Sequence, residues 1–343
     1  MSSISRRKFI PLIGTALLGA ASLSCDTNNT LIVPSRPRLL SNRLKKGDTI
    51  GIAASAGPIK DRKEVEEFQT ILHQLGYKTK LGKNVFGQHG YFSASDEERA
   101  SEFMELISDN EVQGIFFIRG GWGCARILDL LDYDVIAQNA KVIMGFSDIT
   151  ALLNAITHKT GLVTFHGPGG NSTWNEYSVN YIKQLLHEGE KVVFQNTKAD
   201  RTIISYSSGK SEGIFYGGNL SVLCGMVGSN YLPDWNGKVL FLEDVGEEPY
   251  RIDRMLTQLK LAGVFDQISG LVLGNFRKCT PEEPERSFTL EEVFEQHFSK
   301  ANIPVFYGAQ IGHVRNKFTV PVGVKVCMDT DRGTIELLES GVK

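Results

Sequence analysis

From residue 49 the chain alternates between short apolar runs and longer segments whose apolar positions recur at helical spacing. "TIGIAAS", "VQGIFFIRGGWG", "AKVIMGFSD" and "LVTFHGPGGN" are β-rich runs that end in small or polar residues. Between them lie "DRKEVEEFQTILHQLGY", with Val65, Phe68, Ile71 and Leu72 at helical spacing, and "DEERASEFMELISD". "CARILDLLD" reads as a third helix, and "DITALLNAITHKTG" as a fourth, with Ile149, Leu152, Leu153 and Ile156 on one face and Gly161 as its stop. Alternating strands and helices predict a parallel sheet covered on both faces. In such sheets ligands bind at the carboxyl ends of the strands, which directs attention to the residues after Ile118, Met144 and Phe165.

Residues 171–210 are more polar and read as a connecting region. A second unit then runs through 211–343. "SEGIFYGGNLSVLCGMVGS" is strand, glycine turn and helix. "GKVLFLEDVGEEPYRIDRMLTQLKLAG" is strand, acidic loop and helix, and "VKVCMDTDRGTIELLE" is a closing hairpin. The expected architecture is α/β. A parallel-sheet, flavodoxin/amidotransferase-like N-terminal domain spans 45–170, and a smaller C-terminal α/β domain with a mixed sheet spans 211–343.

Residues 1–25 fall outside this pattern. Arg6, Arg7 and Lys8 precede an apolar run from about Phe9 to Ala21 and small residues up to Cys25. That is export-signal anatomy, and the run is too short for an ordinary membrane span. "SRRKF" adds a twin-arginine address. "SLSC" makes Cys25 a candidate lipid-attachment site and membrane tether, although Ser22 stands where an aliphatic residue is usual. The expected location is periplasmic, with residues 26–44 as a polar tether.

The whole chain has 343 residues, 41% of them hydrophobic, and a formal charge of −2. Loss of residues 1–25 leaves 34 basic against 39 acidic residues, a charge of −5. With no long basic run, nucleic acid is not the expected partner. Cys124, Cys224, Cys279 and Cys327 form no CxxC pair and have no histidine at metal spacing, so they read as buried free thiols, with no metal or cofactor expected.

A serine needs a base, usually histidine, which a carboxylate usually orients. Ser147 stands at a strand-to-helix turn with Gly145 two residues before it, which half-matches the G-x-S-x-G elbow; Ile149 takes the second glycine position. On that motif alone, a helix N-cap, which both Ser147 and Asp148 suit, is the better-supported reading. Gly120, Gly121 and Gly123 supply unobstructed backbone N–H groups that could face an oxyanion. His166 and His313 both follow buried strands and are the candidate bases; Glu243 and Asp244 end an apolar strand and are the candidate acids. Arg119, Trp122, His166 and Asn219 are candidate substrate contacts.

Taken together, "ASAGP", "IRGGWGCARILDLLD", "GFSDITALLNAI", "HGP", "YGGNLSVL", "FLEDVGEEPYRIDRML" and "GHVRNKFTVPVG" resemble the LD-carboxypeptidase family of serine peptidases, over roughly residues 45–340. That family includes murein tetrapeptide carboxypeptidases and microcin C immunity peptidases. The resemblance implies a Ser147–His313–Glu243 triad set between the domains and oxyanion donors at the N–H groups of Gly121 and Asp148. It also implies a murein peptide or related small peptide as substrate, and a homodimer. Two features depart from the family: the export signal, and Trp122 where tyrosine is common.

Overall fold

The computed structural model describes residues 37–197 and 203–343. The export signal, Cys25 and most of the tether lie outside the described residues. Strands Thr49–Ala53 (β1), Lys78–Leu81 (β2), Val112–Phe117 (β3), Val142–Gly145 (β4) and Thr164–His166 (β5) pair in parallel, in the order β5-β4-β3-β1-β2. All four residues of β4 are buried, as are five of the six of β3, and such continuous apolar runs suit strands covered on both faces. β2, "KTKL", alternates exposed and half-buried positions, and it is the edge strand, where lysines discourage further pairing.

The amphipathic segments fold as their periodicity predicts. Helix Arg62–Gln74 buries Val65, Phe68 and Leu72, and helix Asp96–Ser108 buries Phe103, Leu106 and Ile107. Each starts at a capping box, Asp61 with Glu64 and Ser95 with Glu98, which satisfies orphan N–H groups at the first turn. "CARILDLLD" departs from expectation. Cys124–Leu130 winds as 3₁₀ turns, and a short α-helix follows only at Tyr133–Gln138. The cause is local: the segment starts from left-handed Gly123 (φ +116°) with no side-chain cap. Its first N–H, that of Cys124, is held by the Asp148 carboxylate at 2.8 Å.

The polar stretch 171–210 is more than a connection. It folds into helix Glu176–Ile182 and supplies strands Val193–Gln195 (β6) and Ile204–Ser207 (β7). These two form opposite edges of a second, eight-stranded sheet. Its centre is parallel: Lys210–Asn219 (β8), Lys238–Val245 (β9), Gly270–Arg277 (β10) and Val305–Tyr307 (β11). Past a loop comes Val320–Val322 (β12), and then the predicted hairpin, Lys325–Asp329 (β13) and Thr334–Leu337 (β14). The second sheet runs β6-β14-β13-β8-β9-β10-β11-β7.

β12 belongs to the other sheet. It lies antiparallel on β5, with Val320 opposite His166 and Val322 opposite Thr164. The C-terminal half thus completes the first sheet, and the described residues form one compact unit. A second junction joins helix Thr150–Thr160 to the end of β8. Asn154 Nδ2 donates to Gly217 O at 2.9 Å, and Asn219 N donates to Thr150 Oγ1 at 3.0 Å. Gly218 has φ +145°, and a Cβ there would lie 2.4 Å from Thr150 Oγ1. Gly218→Ala is expected to lower stability by about 2 kcal/mol or more, through a strained backbone plus overpacking; urea denaturation monitored by circular dichroism measures it.

Candidate active site

Several strand ends converge: Ser147 after β4, the glycine loop after β3, His166 at the end of β5, Asn219 at the end of β8, and Glu243 near the end of β9. Among the described residues, Ser147 (φ +62°) and Lys278 (φ +56°) are the non-glycine residues in the left-handed region. Such backbone costs of the order of 1–3 kcal/mol and is tolerated where the surroundings impose it. The N-cap reading of this turn fails. No side chain caps the 3₁₀ turn Ser147–Ile149, and the Asp148 carboxylate reaches instead to Cys124 N. The half-matched elbow is also explained. A Cβ on Gly145 would come within 2.9 Å of Ile149 Cγ2, so the first glycine makes room for the isoleucine that replaces the second.

The glycine loop lies directly against this turn. A Cβ on Gly120 would sit 2.8 Å from Ser147 Cβ and 3.0 Å from its Oγ. The loop is held from beneath: Gly57 N donates to Gly120 O at 3.3 Å, and fully buried Arg99 donates to Gly123 O at 3.1 Å. The N–H groups of Gly121 and Asp148 have no acceptor among the loop and cap hydrogen bonds of the described residues.

Glu243 is fully buried. Its Oε2 accepts a 2.7 Å hydrogen bond from His313 Nδ1. Burial alone would raise this carboxylate; the neighbouring His166 and His313 outweigh it and bring it down to about 2. With Nδ1 bonded to the carboxylate, Nε2 is the nitrogen of His313 available to take a proton. The glycine before the histidine is a steric necessity: Gly312 has φ +106°, and a Cβ there would meet Glu243 Oε2 at 2.3 Å. The His313 ring packs on that of Phe146, the residue before Ser147, with centroids 4.8 Å apart.

His166 and Asn219 lie elsewhere than a substrate-contact role requires. His166, expected to wall a pocket, is 1% exposed. Its Nε2 faces the second oxygen of Glu243 at 3.8 Å, and it is buried at the junction of β5 with β12. Asn219 is buried as the N-cap of helix Leu220–Met226. Its side chain accepts from Val222 N and donates to Asp244 Oδ1 at 3.0 Å, so its polar atoms are spent on the fold.

Family models match both halves of the chain: the LD-carboxypeptidase N-terminal domain over residues 50–167 and the C-terminal domain over residues 212–328. The chain belongs to the LD-carboxypeptidase family. Among its relatives is a probable murein peptide carboxypeptidase of Bacillus subtilis, 38% identical over 304 residues, which span 87% of this chain and 94% of that one. The microcin C7 self-immunity protein MccF of Escherichia coli is 32% identical over 348 residues, covering 90% and 98%. A structure of MccF in complex with glutamyl sulfamoyl guanosine superposes with a TM-score of 0.82 at 29% identity, over 89% of this chain and 100% of that one. The muramoyltetrapeptide carboxypeptidase of Oxalobacter formigenes gives a TM-score of 0.74 at 29% identity, over 84% and 97%. This LD-carboxypeptidase has the two-sheet α/β architecture of those structures, and it is a hydrolase of the serine carboxypeptidase class.

Two cavities flank the carboxypeptidase site. One, of about 590 Å³, is lined by Gly57, Tyr91, Arg119, Gly121 and Trp122. Arg119 is fixed there by a 2.7 Å bond to Pro58 O, and the exposed Trp122 ring stacks on Phe92 at 5.4 Å. The other, of about 620 Å³, is lined by Phe146, Ser172, Arg277, His313, Arg315 and Lys317. Sequence reasoning missed Lys317 and Arg277. Both stand beside buried runs, and the "VRNKF" that follows His313 was the available signal for Lys317. Among the described residues, no group of three or more His, Cys, Asp or Glu is arranged to hold a metal. Cys124, Cys224 and Cys279 are buried free thiols, and Cys327 is half-buried and free. Gly120→Ala is expected to abolish turnover, because its Cβ displaces Ser147; an unchanged thermal transition beside lost peptidase activity checks it.

Proposed function

We propose that this protein is an exported serine carboxypeptidase that hydrolyses an L,D-peptide bond and releases the terminal D-alanine of murein tetrapeptides. The observation that carries the reading is the 2.7 Å His313–Glu243 bond, delivered beside the strained turn of Ser147. His313 Nε2 takes the hydroxyl proton as Ser147 Oγ bonds to the scissile carbonyl carbon. Charge builds on the carbonyl oxygen, where the N–H groups of Gly121 and Asp148 hold it. The C–N bond then breaks, His313 passes its proton to the leaving amine, and D-alanine departs. Water repeats the attack on the acyl-enzyme, gives its proton to His313, and Ser147 recovers it. Glu243 stays ionised throughout and steadies the imidazolium.

The likeness to MccF supports a second reading, in which the same residues cleave peptidyl-nucleotide antibiotics. Purified protein incubated with both substrates and followed by mass spectrometry separates them. Loss of D-alanine from the muropeptide is the expected result, and Ser147→Ala should lower kcat by about 10⁴-fold or more. Full activity in that variant would refute the mechanism.

The order of basic, apolar and small residues in 1–25 supports export by the twin-arginine route to the periplasm, with Cys25 acylated as a membrane tether. Cell fractionation of the wild type and Cys25→Ala tests this. The wild type is expected with the membrane and the variant in the soluble periplasmic fraction.

A further inference from the structure

The cavity beside His313 carries an unusual charge arrangement. Lys317 is 4% exposed, yet no carboxylate among the described residues pairs with it. Its Nζ has a 3.3 Å contact with Ser172 Oγ and sits 4.4 Å from the centre of the Phe146 ring. Arg277 and Arg315 line the same cavity, and neither forms an ion pair among the described residues. A buried ammonium ordinarily has an anionic partner, because desolvation without one is costly. Burial lowers the Lys317 ammonium to about 8, and Arg277 adds to this; the Glu243 charge opposes them but is already bonded to His313. The cavity therefore presents three cations and no acid of its own.

Its place relative to the chemistry gives it a direction. Phe146 packs His313 on one side at 4.8 Å and carries the Lys317 ammonium at 4.4 Å. In acyl transfer the base becomes the acid that protonates the leaving amine, so the cavity that His313 lines is the leaving-group side. The acyl side then falls to the cavity of Gly121, Arg119 and Trp122. In a terminal amino acid only Cα separates the amide nitrogen from the carboxylate. A residue whose nitrogen meets His313 brings its carboxylate into this cavity.

We propose that Lys317, with Arg277 and Arg315 beside it, binds the terminal carboxylate of the leaving residue and so restricts cleavage to chain ends. The inference rests on the reading of Ser147 and His313 as nucleophile and base. A buried, preformed counter-charge recognises a carboxylate and rejects an amide, which leaves the ammonium unpaired.

The test compares a murein tetrapeptide with its C-terminal amide in the wild type, Lys317→Met and Lys317→Arg. A charge-assisted hydrogen bond predicts that the wild type prefers the acid by about 10- to 150-fold in kcat/KM. Lys317→Met should bring the ratio close to one, mainly through KM, while Lys317→Arg keeps most of it. An undiminished preference in Lys317→Met overturns the proposal, as does an equal rate on acid and amide in the wild type. Calorimetric titration with D-alanine and D-alaninamide tests the cavity independently of turnover. Binding of D-alanine alone, lost in Lys317→Met, supports the assignment even if the tetrapeptide is not cleaved, in which case only the substrate reading falls. Equal binding of the two probes, or binding of neither, overturns it.

Discussion

A buried carboxylate with a single histidine bonded to it is the constraint around which this molecule is arranged. Taking Glu243 out of water costs several kcal/mol unless the charge is compensated, and the compensation comes from His166 beside it and from the bonded His313, seventy positions further along the chain. To deliver that imidazole the chain needs Gly312, whose missing Cβ gives the carboxylate its space. Immediately afterwards the chain crosses to the first sheet and pairs as β12 against β5. The same few residues therefore pair the buried carboxylate, place the His313 imidazole and join the two sheets. A change at any of them acts on stability and chemistry together.

The turn of Ser147 follows a complementary logic. Ser147 is held in a left-handed conformation by what surrounds it: Phe146 packed on His313, Ile149 filling the space above Gly145, and Asp148 tied to the start of the next segment. The glycine loop is fixed in turn by Arg99, which donates to the carbonyls of Gly123 and Ser55 and pairs with the Asp96 carboxylate. The N–H groups of Gly121 and Asp148 are thus set in place by the fold itself, the arrangement in which fixed dipoles are most effective.

Much of the fold could be read from the sequence because it is encoded locally. Helices 62–74 and 96–108 follow their apolar period and their capping boxes, and β3 and β4 follow their unbroken apolar runs. Legibility fails where a distant partner decides the outcome. Cys124–Leu130 has a helical pattern, yet a carboxylate from another turn sets its first hydrogen bond. β6 and β7 are edge strands of three and four residues inside a largely polar stretch, too short to show an alternating pattern. Asn219 stands in a glycine-rich turn that resembles a ligand loop, and only the position of Asp244 shows that its amide is committed. Lys317 gives no sign of burial in sequence, since lysine is ordinarily a surface residue. The pairing of His313 with Glu243 depended on resemblance, because nothing local distinguishes His313 from His166.

The crossing of β12 also bears on the order in which the chain can become a protein during its synthesis. The first sheet draws five of its strands from residues 49–166 and the sixth from residues 320–322. As the chain leaves the ribosome, its leading half can form the parallel strands but leaves β5 with a free edge until residues 320–322 have been made. Ser147 and His313 are held apart over the same interval, since the serine emerges early and the histidine late. A chain that stops short of His313 therefore has not brought that imidazole to Glu243 or beside the turn of Ser147.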